Sequence, residues 1–90
     1  MQNSDGESMK NKMPQEYKTK DLGESAALIC KSARLLRLER QFDFFWFVFS
    51  DKKFCQKITD DYWYGELLVN AKSYQNALRT LKDRLFAQNQ

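Results

Sequence analysis

Ninety residues, with 15 Lys and Arg against 12 Asp and Glu, bound the chain to one domain of net charge +3. Basic positions favour the first forty residues and the stretch after Leu67, while residues 41–66 lean acidic, so the chain is no basic block of the kind that grips duplex DNA through many phosphates. No apolar stretch approaches the ~18 residues of a membrane span. The lack of His and the presence of only two Cys argue against a mononuclear zinc site within one chain.

Residues 1–16 are polar and lack apolar periodicity, which predicts a disordered tail ahead of a single domain over residues 17–88. A domain this small buries only roughly 60% of its unfolded surface and needs a further source of stability. Seven Phe, four Tyr and two Trp supply it, nearly all after Lys18. Cys30 and Cys55 are read as two buried free thiols. With no secretion signal at the start of the chain, the expected setting is cytoplasmic.

Asp21 is an N-cap candidate, and Glu24 three residues later completes a capping-box pattern. The helix it opens is expected over residues 22–32, with Leu22, Ala26, Ile29 and Ala33 on one face and Leu28 beside it. Tyr17 before it reads as a short strand or as a staple onto that helix.

Residues 34–40 fit two readings, an extension of the helix or a strand with Leu36 and Leu38 inward and Arg37 and Glu39 outward. The run Phe42–Phe49 is read as a strand, because aromatic and β-branched side chains lose rotamer freedom in a helix and pack well on a pleated surface. Its nearest pairing partner is Leu35–Arg40, giving a hairpin that turns near residues 41–43 without a glycine.

Ser50 or Asp51 then caps a second helix carrying Phe54, Ile58 and Tyr62 at i, i+4 and i+8, with Cys55 alongside. Gly65 stops it in the left-handed conformation. After an extended link at Leu67–Val69, Asn70 caps a third helix whose stripe is Tyr74, Ala77, Leu78, Leu81 and Leu85. Lys72, Arg79, Lys82 and Arg84 take its other faces. The whole reads as an α+β domain in the order helix, β-hairpin, helix, helix.

The succession Tyr17-x-Thr19-x-Asp21-Leu22, Phe47-Val-Phe49-x-Asp51, Trp63-x-Gly65-Glu66, Val69-x-Ala71, Tyr74, Ala77-Leu78 and Leu81-Lys82 resembles an uncharacterised family of short bacterial and phage-encoded domains of unknown function. The resemblance covers roughly residues 16–87 and implies the helix–hairpin–helix–helix order and a phage or mobile-element source. It implies no catalytic role. The chain departs from the family pattern after the first helix, where Ser32-Ala33 stands in place of a frequent glycine.

Little in the sequence speaks for catalysis. There is no His, no Ser-x-x-Lys and no G-x-S-x-G, and Gly6, Gly23 and Gly65 lie too far apart to cradle a phosphate. Asp60 and Asp61 are neighbours on a helix and point about 100° apart, so they do not converge on a ligand. The expectation is a non-enzymatic binding module without metal, cofactor or membrane association.

Two binding surfaces suggest themselves. Lys31, Arg34, Arg37 and Arg40 recur every third residue beside an aromatic strand, as in proteins that track a single-stranded nucleic acid and stack its bases. The stretch Arg40-x-Phe42-x-Phe44…Phe47-Val48 faintly echoes the aromatic strand of RNA-recognition domains, without their glycines.

The second surface follows from period 2, which puts Phe45, Phe47 and Phe49 on one face of the strand and Phe44, Trp46 and Val48 on the other. Helices readily cover one face. The other would expose roughly 300–400 Å² unless a further helix or another molecule covers it, and a homodimer is the simplest cover. Trp63 and Tyr64 form a further contact candidate. The leading expectation is a nucleic-acid-associated accessory module; the alternatives are a protein-binding inhibitor or regulator of a host complex, or a structural homodimer.

Overall fold

The aromatic run becomes the middle of a sheet. The computed structural model describes residues 15–88, ordered as β1 (Tyr17–Thr19), α1 (Leu22–Cys30), β2 (Leu35–Gln41), β3 (Phe44–Phe49), α2 (Lys52–Tyr64) and α3 (Ala71–Gln88). The strands form an antiparallel sheet in the order β1-β3-β2, so the most aromatic strand has a neighbour on each side. Tyr17 therefore opens a strand, pairing with Phe49, and the domain gains a strand ahead of the expected helix. The tail expected over residues 1–16 lies outside the described residues up to residue 14. Gln15 and Glu16 belong to the domain, for the Gln15 carbonyl accepts from the Lys52 N–H at 2.9 Å.

Residues 35–41 are strand, which decides between the two readings of that stretch. The hairpin closes on the Gln41–Phe44 pair, so its loop is Phe42-Asp43 and the strand starts two residues later than expected. Phe42 takes a positive φ of +52°, a backbone conformation that favours glycine, while Asp43 does not. A register shift between Leu35 and Arg37 makes Leu36 a bulge residue. Leu38 turns to the core as expected, but Leu36 does not and stays exposed.

The core gathers on the Phe47 and Phe49 side of the sheet. There Ala26 and Leu28 of α1, Cys55 and Ile58 of α2, and Ala77 and Leu81 of α3 meet the two rings. Each fully buried Phe or Leu contributes about 1.5–3 kcal/mol. The α3 stripe is the one read from its spacing, with Tyr74, Leu78 and Leu85 partly buried against the same cluster.

Helix ends follow local chemistry. The Asp21 carboxylate accepts from the Glu24 N–H at 2.7 Å, the Asp51 carboxylate from the Phe54 N–H at 3.2 Å, and the Asn70 side chain from the Ser73 N–H at 2.9 Å. At the end of α1 the Ser32 N–H donates to the Ile29 carbonyl and the Ala33 N–H to the Leu28 carbonyl. At the end of α2 the Gly65 N–H donates to Tyr62 and the Glu66 N–H to Asp61. Both are Schellman closures, needing a left-handed residue just past the helix. Gly65 takes it at φ +79°, Ser32 at φ +71°. Helix α1 therefore stops at Cys30, two residues short of the expected end.

Candidate functional site

The second face of the sheet is partly buried within the chain itself. Val48 on that face is 0% exposed, and Phe44 and Trp46 are half-buried. Its immediate cross-strand neighbours are Lys18 and Arg37, the former on β1 and the latter on β2. Lys18 Nζ lies 3.0 Å from Glu39 Oε1, and Arg37 reaches Glu16 and Glu39, each at 2.8 Å. Arg37 binds Glu16 as a fork, donating through both terminal nitrogens. These side chains stand on the same face as the apolar row, Lys18 and Arg37 opposite Val48 and Glu39 opposite Trp46, and stay about a third to a half exposed. Lys20 Nζ stands 4.7 Å from the Phe44 ring centre, and Phe44 packs edge-on to Trp46 at 5.3 Å. The sequence reading allowed only a helix or another molecule as the cover. On that face the structure places instead a network of ion pairs among Glu16, Lys18, Arg37 and Glu39.

This arrangement also sorts the four basic candidates. On a strand, residues three apart lie on opposite faces. Arg37 takes the outer face and is engaged by two carboxylates; the hydrogen bond from Arg37 lowers the Glu16 pKa, and those from Lys18 and then Arg37 lower that of Glu39. Arg40 takes the other face, 5.3 Å from the Phe45 ring centre. Lys31 and Arg34 precede β2 altogether, with Arg34 at a shallow cleft lined by Ser32, Ala33, Ser50, Asp51 and Phe54. The four do not form one surface.

A different cluster forms where β1, α1 and α2 meet. Glu24 is only 5% exposed and does not complete the expected capping box. The Asp21 N–H donates instead to Thr19 Oγ1 at 3.1 Å, and the Glu24 carboxylate turns inward. It accepts from the Tyr17 hydroxyl on one oxygen and from the Trp63 indole N–H on the other, the latter at 3.0 Å. Thr59 Oγ1 lies 3.4 Å from the same Tyr17 hydroxyl. Burial, followed by the hydrogen bond to Glu24, pushes the Tyr17 phenol up to about 12.

Gly23, next to Glu24, leaves room for two more hydroxyls. A β-carbon there would meet the Tyr62 hydroxyl at 2.6 Å and the Tyr74 hydroxyl at 3.1 Å. Tyr74 donates to the Gly23 carbonyl at 3.3 Å.

The consequence is a tryptophan held but not hidden. Trp63 is 61% exposed although its indole N–H is fixed by Glu24 and its ring packs edge-on to Tyr62 at 5.0 Å and 85°. Tyr64 and Leu68, in the same corner between α2 and α3, are exposed as well. Asp60, Asp61 and Glu66 flank these residues in the sequence, and α2 ends here with the negative pole of its dipole. Sequence reasoning singled out Trp63 and Tyr64 but missed Glu24, Tyr17 and Thr59 as their support. The one signal was that Tyr17 and Trp63 both belong to the residues carrying the family resemblance.

Both thiols are free. Cys55 is buried, and burial followed by the charges of Asp51 and Glu24 pushes it up to about 11. Cys30 is half-buried rather than buried as expected, and desolvation raises it too. Both remain thiols at neutral pH. Among the described residues no group of three or more Cys, Asp or Glu could hold a metal ion, and no helix is long and apolar enough to cross a membrane.

A family model described as a domain of unknown function (DUF5659) matches residues 14–87. No curated protein and no solved structure matches the chain.

Proposed function

The chain belongs to the family of that domain of unknown function, DUF5659, and from this premise we propose that it is a non-enzymatic module that binds a basic, apolar protein segment at the α2–α3 corner. One observation carries the reading, the orientation of Trp63 by a buried carboxylate while most of its surface stays in water. A ring that is already fixed loses little freedom on docking, and Trp and Tyr dominate the energetics of protein interfaces. The acidic residues Asp60, Asp61 and Glu66 favour a partner of the opposite charge. The two free thiols fit a reducing, cytoplasmic setting. Association with nucleic acid is less favoured, because Arg37 is neutralised by Glu16 and Glu39 and Arg40 faces the other way.

Peptide display on the full chain tests the reading. Selection should enrich peptides with Lys or Arg flanking a large apolar residue, and Trp63→Ala should weaken the selected peptides by at least about 30-fold, as expected of an interface hot spot. Enrichment of acidic peptides, or binding that survives Trp63→Ala, would overturn it. Salt-sensitive binding of a single-stranded oligonucleotide that is lost in Arg34→Ala would favour the nucleic-acid reading instead.

A further inference from the structure

The Trp63 ring sits at one end of a short chain of hydrogen bonds whose other end lies on β1. Tyr17 is placed there by the pairing of β1 with β3, which sets it opposite Phe49. Just before it, the Gln15 carbonyl is tied to the Lys52 N–H at the start of α2. On α2, Thr59 and Trp63 stand one turn apart, on the side turned toward Tyr17 and Glu24.

The proton count decides which group donates to which. A hydroxyl has one proton to give, and a carboxylate only accepts. Thr59 gives its proton to the Gln56 carbonyl at 3.1 Å. Tyr17 gives its own to Glu24, so its 3.4 Å approach to Thr59 is a contact with no proton to spare. Glu24 thus accepts one bond on each oxygen, from the Tyr17 hydroxyl and from the Trp63 indole N–H. Among the described residues no cation pairs with this buried carboxylate, and its burial is offset by the two neutral donors.

The two bonds depend on each other. The terminal torsion of a glutamate is broad, so a carboxylate held at one oxygen alone turns easily about its last bond. With Tyr17 on one oxygen that freedom is lost, and the other oxygen stays aimed at the indole. The indole has little else to hold it, for its ring is 61% exposed and packs edge-on to Tyr62.

We propose that Tyr17 is a positioning residue for the docking site, fixing the Trp63 ring through Glu24. This role rests on the docking proposed for Trp63 and makes it dependent on β1. A three-residue edge strand places Tyr17, so the ring is fixed only while β1 stays paired with β3.

Tyr17→Phe keeps the ring and removes the hydroxyl. It should weaken the selected peptides roughly 3–10-fold, the cost of ordering one freed side chain on docking. In Trp63→Phe, which has no N–H for Glu24, the same change should alter affinity by less than about 2-fold. Thr59→Val should leave affinity unchanged, because that hydroxyl donates to neither Tyr17 nor Glu24. In the free chain the order parameter of the Trp63 indole N–H should be near ~0.85 and fall below ~0.6 in Tyr17→Phe, with that of Trp46 unchanged.

Equal loss of affinity in both Trp63 backgrounds would overturn the proposal, as would an indole already mobile in the unaltered chain. Should Tyr17→Phe fail to fold, a fluorinated tyrosine at position 17 keeps the hydroxyl as a stronger donor. It should shift the Trp63 indole resonance, and an unmoved resonance would overturn the coupling. If Trp63→Ala removes binding but Tyr17→Phe does not weaken it, only the positioning role falls. If Trp63→Ala leaves binding intact, the docking reading fails, and the order parameters still decide whether Tyr17 fixes the ring.

Discussion

Ser32, Phe42 and Gly65 share a positive φ and differ in what they gain from it. Ser32 and Gly65 close two helices by the same pair of hydrogen bonds, yet only Gly65 is free of the steric clash a β-carbon brings to this conformation. Phe42 is 87% exposed, so its ring returns no burial for its backbone strain. Relief of left-handed strain is worth about 1–2 kcal/mol, offset by about 0.5–1 kcal/mol for the greater freedom of glycine in the unfolded chain. Ser32→Gly and Phe42→Gly should therefore each raise stability by about 0.5–1 kcal/mol. Gly65→Ala should lower it by about 1 kcal/mol, from the backbone alone, since nothing lies within 4 Å of the added carbon. Urea denaturation of the three variants checks the signs.

At the scale of elements, Glu24 ties β1, α1 and α2 together through two donors, Tyr17 and Trp63. Glu24→Ala leaves both without their acceptor and should reduce stability by about 1–3 kcal/mol. Glu24→Gln keeps one acceptor oxygen and should recover part of the loss. Trp63→Ala should remove peptide binding and also lower stability by about 1–3 kcal/mol, read as a lower urea midpoint, because it leaves one oxygen of the buried Glu24 carboxylate without its donor. This role for Glu24 was not legible in the sequence. The spacing Asp21…Glu24 matches a capping box, and only the approach of α2 shows that a better pair of donors is within reach of the carboxylate.

Over the whole molecule, alkaline pH should act through buried acids. Cys55 is raised from 9.0 to about 11, and Tyr17 and Tyr62 from 10.0 to about 12, burial being the first cause in each. For a group whose folded pKa is raised, the unfolded chain releases its proton first. Stability is then unaffected below the unfolded pKa and falls as pH rises toward the folded one. The urea midpoint should accordingly be insensitive to these three groups below pH ~9 and decline from there to pH ~12. Tyr17→Phe should flatten the upper part of that decline.

The sequence by itself determined the α+β class, the three helices with Asp21, Asn70 and Gly65 at their ends, and the aromatic strand with its two apolar faces. These are local matters, settled by propensity, capping chemistry and periodicity over a few neighbouring residues. Only the tertiary structure decided that Phe44–Phe49 is the central strand, that Leu36 is bulged out, and that Arg37 and Arg40 diverge. Strand register sets each of these, and register depends on residues far apart in the chain. The same holds for the second face. Phe44, Trp46 and Val48 read as a surface in search of a cover until Lys18 and Glu16, some twenty positions before Arg37 and Glu39, are placed beside them by β1. Pairing across the sheet joins isolated surface charges into one network on that face, which spacing along one strand cannot reveal.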